Sequence, residues 1–370
     1  MRIVLMIPSL GPGGAERVMT LLAGGLAARD HEVWLVTLAA AGGEFFAIDR
    51  RVQRLGLGLM GDSRTALQAV RANVRRLRGL RRAVAKIGPD AVLSFMTSMN
   101  VLAVFACWAL PVRLVVSERV DPVSHPGERR WAVLRSFAYH RADAVVVQTE
   151  TAARWFRRQL GTRAAVTVIP NPVDTAEDSQ PCAVAVPRPF MLAAGRLVHQ
   201  KGFDILLRAF ASMTDECGQL QLAIAGEGPE EQALRGLAAQ LKLEDRVHFL
   251  GQVRGLRTLM QQALAFILSS RYEGFPNVVL EALVSGLPVI ATDCPGGPRQ
   301  ILGDGECGVL VPCEDPPALA AALRRVATDP ALRRRLSELG PRVTAPYRID
   351  RVVGAWEAVL AAKPHCRQSA

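Results

Sequence analysis

Short, uninterrupted apolar runs alternate with helical stretches along this chain, and the whole alternation occurs twice. In the first half the runs lie at 2–7, 32–37, 91–95, 113–117, 144–147 and 166–169. Strands that read as continuous apolar segments belong to parallel sheets covered by helices on both faces. The pattern then lapses: five prolines fall between Pro170 and Pro189, among small and polar residues. It resumes with runs at 190–194, 220–225, 247–250, 265–269, 288–291 and 309–311. Helices are expected between the runs, for example at 203–213 and 230–241. After Pro316 the chain reads as helix, broken near Gly340-Pro341 and Pro346. A length of 370 residues, half of them hydrophobic, suits two domains of this kind. The expected architecture is α/β, with two doubly wound Rossmann-like domains at 1–175 and 189–345. A linker is expected at 176–188, and a terminal helix at 346–363 has the option of packing back on the first domain.

Open parallel sheets bind ligands at the carboxyl ends of their strands, so the loops after the strands are where chemistry is expected. The first such loop is Gly11-Pro12-Gly13-Gly14-Ala15-Glu16-Arg17. Its glycines let a phosphate approach the backbone at a helix N-terminus, and they equally suit a tight turn. Glu16 stands where a dinucleotide fingerprint has its third glycine, and the second run ends in Val36-Thr37 without the ribose-binding acid. A nicotinamide-dependent oxidoreductase is therefore disfavoured, and no Gly-Lys-Ser/Thr of a P-loop follows.

Two clusters in the second half carry more. Gly195-Arg196-Leu197-Val198-His199-Gln200-Lys201-Gly202 follows that half's first strand and precedes a helix. Arg196 and Lys201, as two fixed cations, suit the charge that grows on a departing diphosphate. Glu273-Gly274-Phe275-Pro276-Asn277-Val278-Val279-Leu280-Glu281 spaces two carboxylates by seven residues, one in a loop and one two turns into a helix. A carboxylate can accept from neighbouring sugar hydroxyls, and the helix start near Pro276 offers N–H groups to a phosphate. The bland alternatives are a solvated loop with incidental charges at 195–202, and at 273–281 an acid favouring the helix dipole with an ordinary surface Glu.

Taken in order and spacing, these motifs resemble glycosyltransferase family 4, the retaining transferases of the GT-B fold. The resemblance also uses Gly226-Glu227-Gly228-Pro229, Ser285-Gly286-Leu287-Pro288-Val289-Ile290-Ala291 and Cys294-Pro295-Gly296-Gly297-Pro298, and it spans nearly the whole chain. It implies two domains facing each other across a cleft, and a nucleotide-diphosphate sugar as donor, UDP-linked by preference. It implies that Arg196 and Lys201 hold the diphosphate, that Glu281 binds the ribose and that Glu273 faces the donor sugar. Phe275, Pro276 and Asn277 would line the sugar and phosphate site, Glu227 and Gly228 would lie near the base, and Gly13 and Gly14 would approach the diphosphate. No metal is expected, and the chain contains no D-x-D motif. Where many relatives carry His in the first domain, this chain reads Ser117-Glu118-Arg119-Val120-Asp121-Pro122, with His125 off the expected position. That resembles a subgroup acting on lipid-linked oligosaccharides and bacterial polysaccharide repeats, and it makes Glu118 and Arg119 candidate acceptor contacts. Gln300 replaces the Glu that relatives often carry after Gly-Pro-Arg.

The net charge of +11 is unevenly placed: residues 1–180 hold 24 Lys+Arg against 15 Asp+Glu, and the remainder holds 21 against 19. Much of the surplus lies at 63–87, where Arg64, Arg71, Arg75, Arg76, Arg78, Arg81, Arg82 and Lys86 occur with no acid. Apolar residues there repeat at three and four, so one helical face is apolar and much of the rest basic. A covering helix explains the apolar stripe. The cations point to an anionic membrane surface or a lipid diphosphate acceptor, with Arg71, Arg75, Arg78 and Arg82 as contacts. Aromatics are 5%, which argues against a stacking-based nucleic-acid binder.

The N-terminal run is short and cut by Pro8, so it reads as a buried strand rather than a signal peptide. Seven scattered cysteines without a C-x-x-C pair suit free thiols in a reducing compartment. The uncharged stretch 91–112 reads as a strand, a polar turn and a buried helix at 101–110 rather than a membrane span. The expected place is cytoplasmic, peripheral on the inner face of the membrane. A nucleotide-sugar epimerase of the same architecture and a non-catalytic saccharide binder are the competing readings.

Overall fold

The computed structural model describes residues 1–61, 65–120, 129–161, 164–174, 182, 184–213 and 218–362, with backbone only at 129 and 130. The chain forms two compact units, Met1–Pro172 with Ile349–Ala370, and Val173–Arg348. The first unit runs β1 (Arg2–Ile7), α1 (Gly14–Ala27), β2 (Glu32–Thr37), β3 (Gln53–Gly56), α2 (Ala66–Ile87) and β4 (Ala91–Phe95). It continues with α3 (Thr97–Ala106), β5 (Arg113–Ser117), α4 (Arg129–Ala138), β6 (Ala144–Val147), α5 (Glu150–Leu160) and β7 (Ala165–Val168). The second unit begins with β8 (Phe190–Ala194), α6 (Phe203–Ala211), β9 (Gln221–Ala225), α7 (Glu231–Gln240), β10 (Val247–Phe249) and α8 (Leu256–Met260). It ends with β11 (Phe266–Leu268), α9 (Asn277–Val284), β12 (Val289–Thr292), α10 (Pro298–Ile301), β13 (Val309–Val311), α11 (Pro316–Thr328) and α12 (Pro330–Val343). The last helix, α13 (Ile349–Ala361), belongs to the first unit.

Among the described residues the sheets are ordered β3-β2-β1-β4-β5-β6-β7 and β10-β9-β8-β11-β12-β13, and every pairing between named strands is parallel. In each sheet the strand order reverses once, between β1 and β4 and between β8 and β11. Two neighbouring strands whose connections leave in opposite directions open a crevice at their carboxyl ends, which is where doubly wound sheets bind ligands. Each sheet is covered on both faces. In the first unit, α2 to α5 pack with one core cluster and α1 with α13 on the other.

Several expectations are corrected. β3 carries no continuous apolar run because it is an edge strand, half-exposed. α3 starts at Thr97, directly after β4, rather than at 101. α12 continues through Pro341 to Val343, the expected break near Pro346 separates it from α13, and a further break falls at Asp329, whose Oδ1 accepts the Leu332 N–H at 2.8 Å. The first boundary falls before Val173, because the Val173 N–H donates to the Tyr347 carbonyl at 2.8 Å within the second unit. Of the expected linker, residues 176–181 and 183 lie outside the described residues, as do Ser63 and Arg64 of the basic stretch.

α13 completes the hydrophobic face of the first sheet. Trp356 is 1% exposed and its ring lies 6.0 Å from that of Phe95 on β4. The approach of α13 to α1 is close: a Cβ added at Gly25 would sit 2.5 Å from Val353. Glu357 accepts from Arg29 and His31 at the rim. Trp356→Ala is expected to destabilise the first unit by about 3–5 kcal/mol through the cavity it leaves. Denaturant unfolding followed by circular dichroism measures this, and an unchanged transition would show that α13 is not part of the folded unit.

Candidate active site

The β8/β11 crevice gathers the two most informative sequence clusters. Residues 195–202 leave β8, and residues 269–276 leave β11. The loops are tied through main chain and side chain alike. The Arg271 N–H donates to the Gln200 carbonyl at 2.8 Å, Gln200 Nε2 to the Tyr272 carbonyl at 3.0 Å, and Ser269 Oγ to the Lys201 carbonyl at 2.8 Å. Gly202, with φ +62°, permits this contact, since a Cβ there would lie 2.1 Å from the Ser269 carbonyl oxygen.

At the centre Lys201 Nζ lies 2.6 Å from Glu273 Oε1, and Ser270 Oγ donates to the same oxygen at 2.6 Å. Glu273 is 4% exposed. Its N–H donates to the Pro295 carbonyl at 2.8 Å, and Gly296 is required there because a Cβ would fall 1.8 Å from the Glu273 carbonyl oxygen. Lys201 is therefore an ion-pair partner of Glu273 before any ligand arrives. An ammonium has three donors, so two remain for a phosphate. Arg196, in the same loop, is exposed, and its guanidinium makes no hydrogen bond or ion pair among the described residues.

Arg271 went unnoticed in the sequence and braces the arrangement. It donates from Nη1 and Nη2 to Asp204 at 2.9 and 2.8 Å, from Nη1 to the His199 carbonyl at 2.8 Å and from Nε to Glu314 at 2.8 Å. Its hydrogen bonds with Asp204 hold the guanidinium well above its ordinary range, and Arg271 in turn lowers Asp204. The signal was the Ser-Ser-Arg-Tyr run before Glu273. Ser270, the other missed residue, lies in it too. Burial, then the nearby Glu273, pushes the Cys294 thiol far up, so this thiol is no nucleophile at neutral pH.

The remaining second-unit residues separate. Glu281 sits on the second turn of α9, half-buried. Phe275 is buried, its ring packed in the core 6.0 Å from that of Tyr347. Pro276 is also buried and caps α9, while Asn277 is half-buried at its start. Glu227 is exposed, and its carbonyl accepts the Leu197 N–H at 2.9 Å. Gly228 serves this contact, because a Cβ would lie 2.3 Å from the Leu197 carbonyl oxygen.

In the first unit, Gly13 is the N-cap of α1 and Gly14 its first residue, after β1 at that sheet's own reversal point. A Cβ at Gly13 would lie 2.0 Å from Glu16 Oε2, so the Glu16 carboxylate folds over this helix start. Of the two expected acceptor or membrane contacts here, Glu118 is sealed from solvent and Arg119 is half-buried. Glu118 is fully buried, accepts from Tyr139 Oη and from Thr97 Oγ1 at 2.8 Å, and has Arg135 Nη1 at 3.8 Å. Arg119 stacks on Phe95, 3.4 Å from the ring centre, and donates to Asn171. Asp121, Pro122 and His125 lie outside the described residues.

The basic helix divides by function. Arg76 donates to the carbonyls of Leu59 and Gly61, and Arg81 to those of Ala106 and Trp108, so both hold the fold. Arg71, Arg75, Arg78, Arg82 and Lys86 make no ion pair or hydrogen bond among the described residues. They rim a groove of about 760 Å³ whose apolar lining includes Leu57, Leu59 and Val74.

Burial raises the Glu118 carboxyl above its ordinary 4.5, with Arg135 opposing in part. The folded protein then holds a proton that the unfolded chain releases, so wild-type stability falls as pH rises from 4.5 through the folded value. Glu118→Gln, which keeps the shape without the charge, should gain stability relative to wild type across that window. Urea unfolding at successive pH values reads the difference, and a pH-independent one would reject the assignment.

Two family models match the chain. Residues 12–177 match Glycosyltransferase Family 4, and residues 174–343 match Glycosyl transferases group 1. A Campylobacter jejuni protein is 26% identical over 98% of both chains: a GalNAc-alpha-(1->4)-GalNAc-alpha-(1->3)-diNAcBac-PP-undecaprenol alpha-1,4-N-acetyl-D-galactosaminyltransferase. The lipopolysaccharide core biosynthesis glycosyltransferase LpsE of Rhizobium meliloti is 30% identical over 61% of this chain and 66% of its own. Among solved structures, sucrose-phosphate synthase from Thermosynechococcus elongatus superposes with a TM-score of 0.82 at 22% identity, over 97% of this chain and 98% of that one. Anabaena HepE, solved with UDP and glucose, gives 0.77 at 18%, over 98% and 99%. These likenesses show the GT-B fold, and the chain is a glycosyltransferase built of two family domains, residues 12–177 belonging to Glycosyltransferase Family 4 and residues 174–343 to the group 1 glycosyl transferases.

Proposed function

We propose that this protein transfers a sugar from a UDP-linked donor to a lipid-linked saccharide at an anionic membrane surface, with retention of anomeric configuration. The observation that carries this reading is the Lys201–Glu273 pair at the β8/β11 reversal point, with Arg196, unpaired among the described residues, in the same loop. Two cations on one loop suit a diphosphate leaving group. A dry, fixed carboxylate beside one of them suits a sugar hydroxyl. Glu281 is assigned to the ribose by family resemblance. The Campylobacter jejuni relative, whose printed name carries a diphospho-undecaprenol acceptor, supports the lipid-linked class.

The reaction follows from these roles. The acceptor oxygen forms its bond to the anomeric carbon as the bond to the diphosphate oxygen breaks, on the same face. The acceptor proton passes to the departing phosphate, and Arg196 and Lys201 neutralise what remains of its charge. No protein nucleophile is required. The two cations do the work a divalent metal does in other transferases, so transfer should proceed unchanged in the presence of a chelator.

On the first unit, five cations at 71, 75, 78, 82 and 86, unpaired among the described residues, form a stripe about 22 Å long at 1.5 Å per residue. Such a stripe suits lipid phosphates rather than a single carboxylate.

Lys201→Ala and Glu281→Ala should each lower turnover about a hundredfold or more while thermal unfolding of the second unit persists. Near-normal transfer from a panel of nucleotide sugars into membrane lipid extract by both variants would remove this site from consideration. Replacing Arg75, Arg78 and Arg82 by Gln should weaken binding to anionic vesicles severalfold, whereas Arg76→Gln should act on stability instead. Equal vesicle binding by the triple variant and the wild type would rule out the stripe.

A further inference from the structure

α4 sets Trp131 and Ala138 on the core, yet it also buries a charge and exposes three large apolar side chains. Its inward side carries Arg135, 5% exposed, which faces Glu118 and lies over Trp155 and Phe156, 5.1 and 5.6 Å from the ring centres. Its outward side carries Val133, Leu134 and Phe137, at 63%, 40% and 54% exposed. The buried arginine is accounted for by the Glu118 network. The three outward apolar residues have no counterpart in the described fold. They are joined by Trp108, 43% exposed, just beyond α3. The Arg141 guanidinium sits 4.1 Å from the Trp108 ring centre and 4.8 Å from that of Phe137, which makes one patch of the two rings. Arg81 fixes its base by donating to the Trp108 carbonyl at 2.7 Å.

We propose that Trp108, Val133, Leu134 and Phe137 form a wedge that inserts into the interfacial layer of an anionic lipid bilayer. α2, α3 and α4 contain no acidic residue. They lie on one face of the sheet, α2 against α3 and α3 against α4, so the wedge shares a helical layer with the five unpaired cations. An apolar face that holds the Arg141 guanidinium between two of its rings, on helices without acids, matches anionic headgroups above an apolar interior. Trp, with its polar N–H and large ring, settles at that boundary. A second copy of this chain is a poor occupant, because a two-fold contact would set two faces of the same positive sign against each other. The inference rests on the membrane reading above and adds where the bilayer is entered, by residues outside the donor site.

The test uses the full chain with vesicles of phosphatidylcholine and phosphatidylglycerol. Brominated phosphatidylcholine should quench part of the tryptophan emission, and Trp108→Phe should abolish that part. At about 0.5 M salt, where charge attraction is screened, the wild type should still sediment with vesicles. The double variant Val133→Ser, Phe137→Ser should partition at least about tenfold less, while binding near wild type at low salt. All substituted positions are exposed, and thermal unfolding checks the fold. Absence of quenching, or equal high-salt partition of the double variant, would overturn the wedge. So would a lipid-free dimer that the same substitutions dissolve, or an acidic protein that competes with vesicles only through these side chains. Sugar transfer to a short-chain, water-soluble acceptor separates the two readings. Transfer kept without insertion would reject the wedge alone, and insertion without transfer would reject the proposed activity alone.

Discussion

Glu273 is a carboxylate almost entirely withdrawn from water, and an ionised group so placed must be matched by a cation and by hydrogen-bond donors. Lys201 and Ser270 meet that need through one oxygen. The requirement propagates outward. Lys201 has to be held at 2.6 Å, so the short turn that carries it is tied to the loop after β11 by Arg271, Gln200 and Ser269. Gly202 and Gly296 are glycine because the loops meet at distances that admit no side chain. The donor-side geometry is therefore one connected set of contacts. A phosphate entering it meets a cation already oriented, which lowers the reorganisation needed as charge develops.

The first unit solves a related problem differently. Glu118 lies at the carboxyl end of β5, where the family often places a side chain near the chemistry, and here it is buried behind Thr97, Tyr139 and Arg135. Arg135 is turned inward toward Glu118, while Val133, Leu134 and Phe137 of the same helix face outward. The one helix thus pairs a buried cation with an exposed apolar surface. The cations of α2 are likewise divided between structure and surface, Arg76 and Arg81 holding carbonyls and the stripe from Arg71 to Lys86 left unpaired.

The strands were legible because fully covered parallel strands demand continuous apolar runs, as in residues 91–95 and 190–194, and little else produces them. β3 escaped because an edge strand is half-solvated and carries Gln and Arg. The extension of α12 through Pro341 escaped because local propensity says break, while packing of Gly340 against Leu283 keeps the helix running. At the site, Arg196, Lys201, Glu273 and Glu281 stood out by charge and by place after strands. That the Phe275 ring packs in the core was not legible, because a hydrophobic ring beside a glycine gives no sign of which side of its loop the core lies on.

By itself the sequence determined the two-sheet α/β class, the order of the loops that bear charge, and the concentration of positive charge on the first unit. Those follow from periodicity and composition, which are local properties. Tertiary structure alone decided that Lys201 answers Glu273, that Arg271 braces both, that Glu118 is sealed, and that α4 presents Phe137 outward. Each of these joins residues brought together by the sheet, 72 positions apart for Lys201 and Glu273. The free energy that selects such partners is the cost of a buried charge left unmatched, which no single segment of chain can reveal.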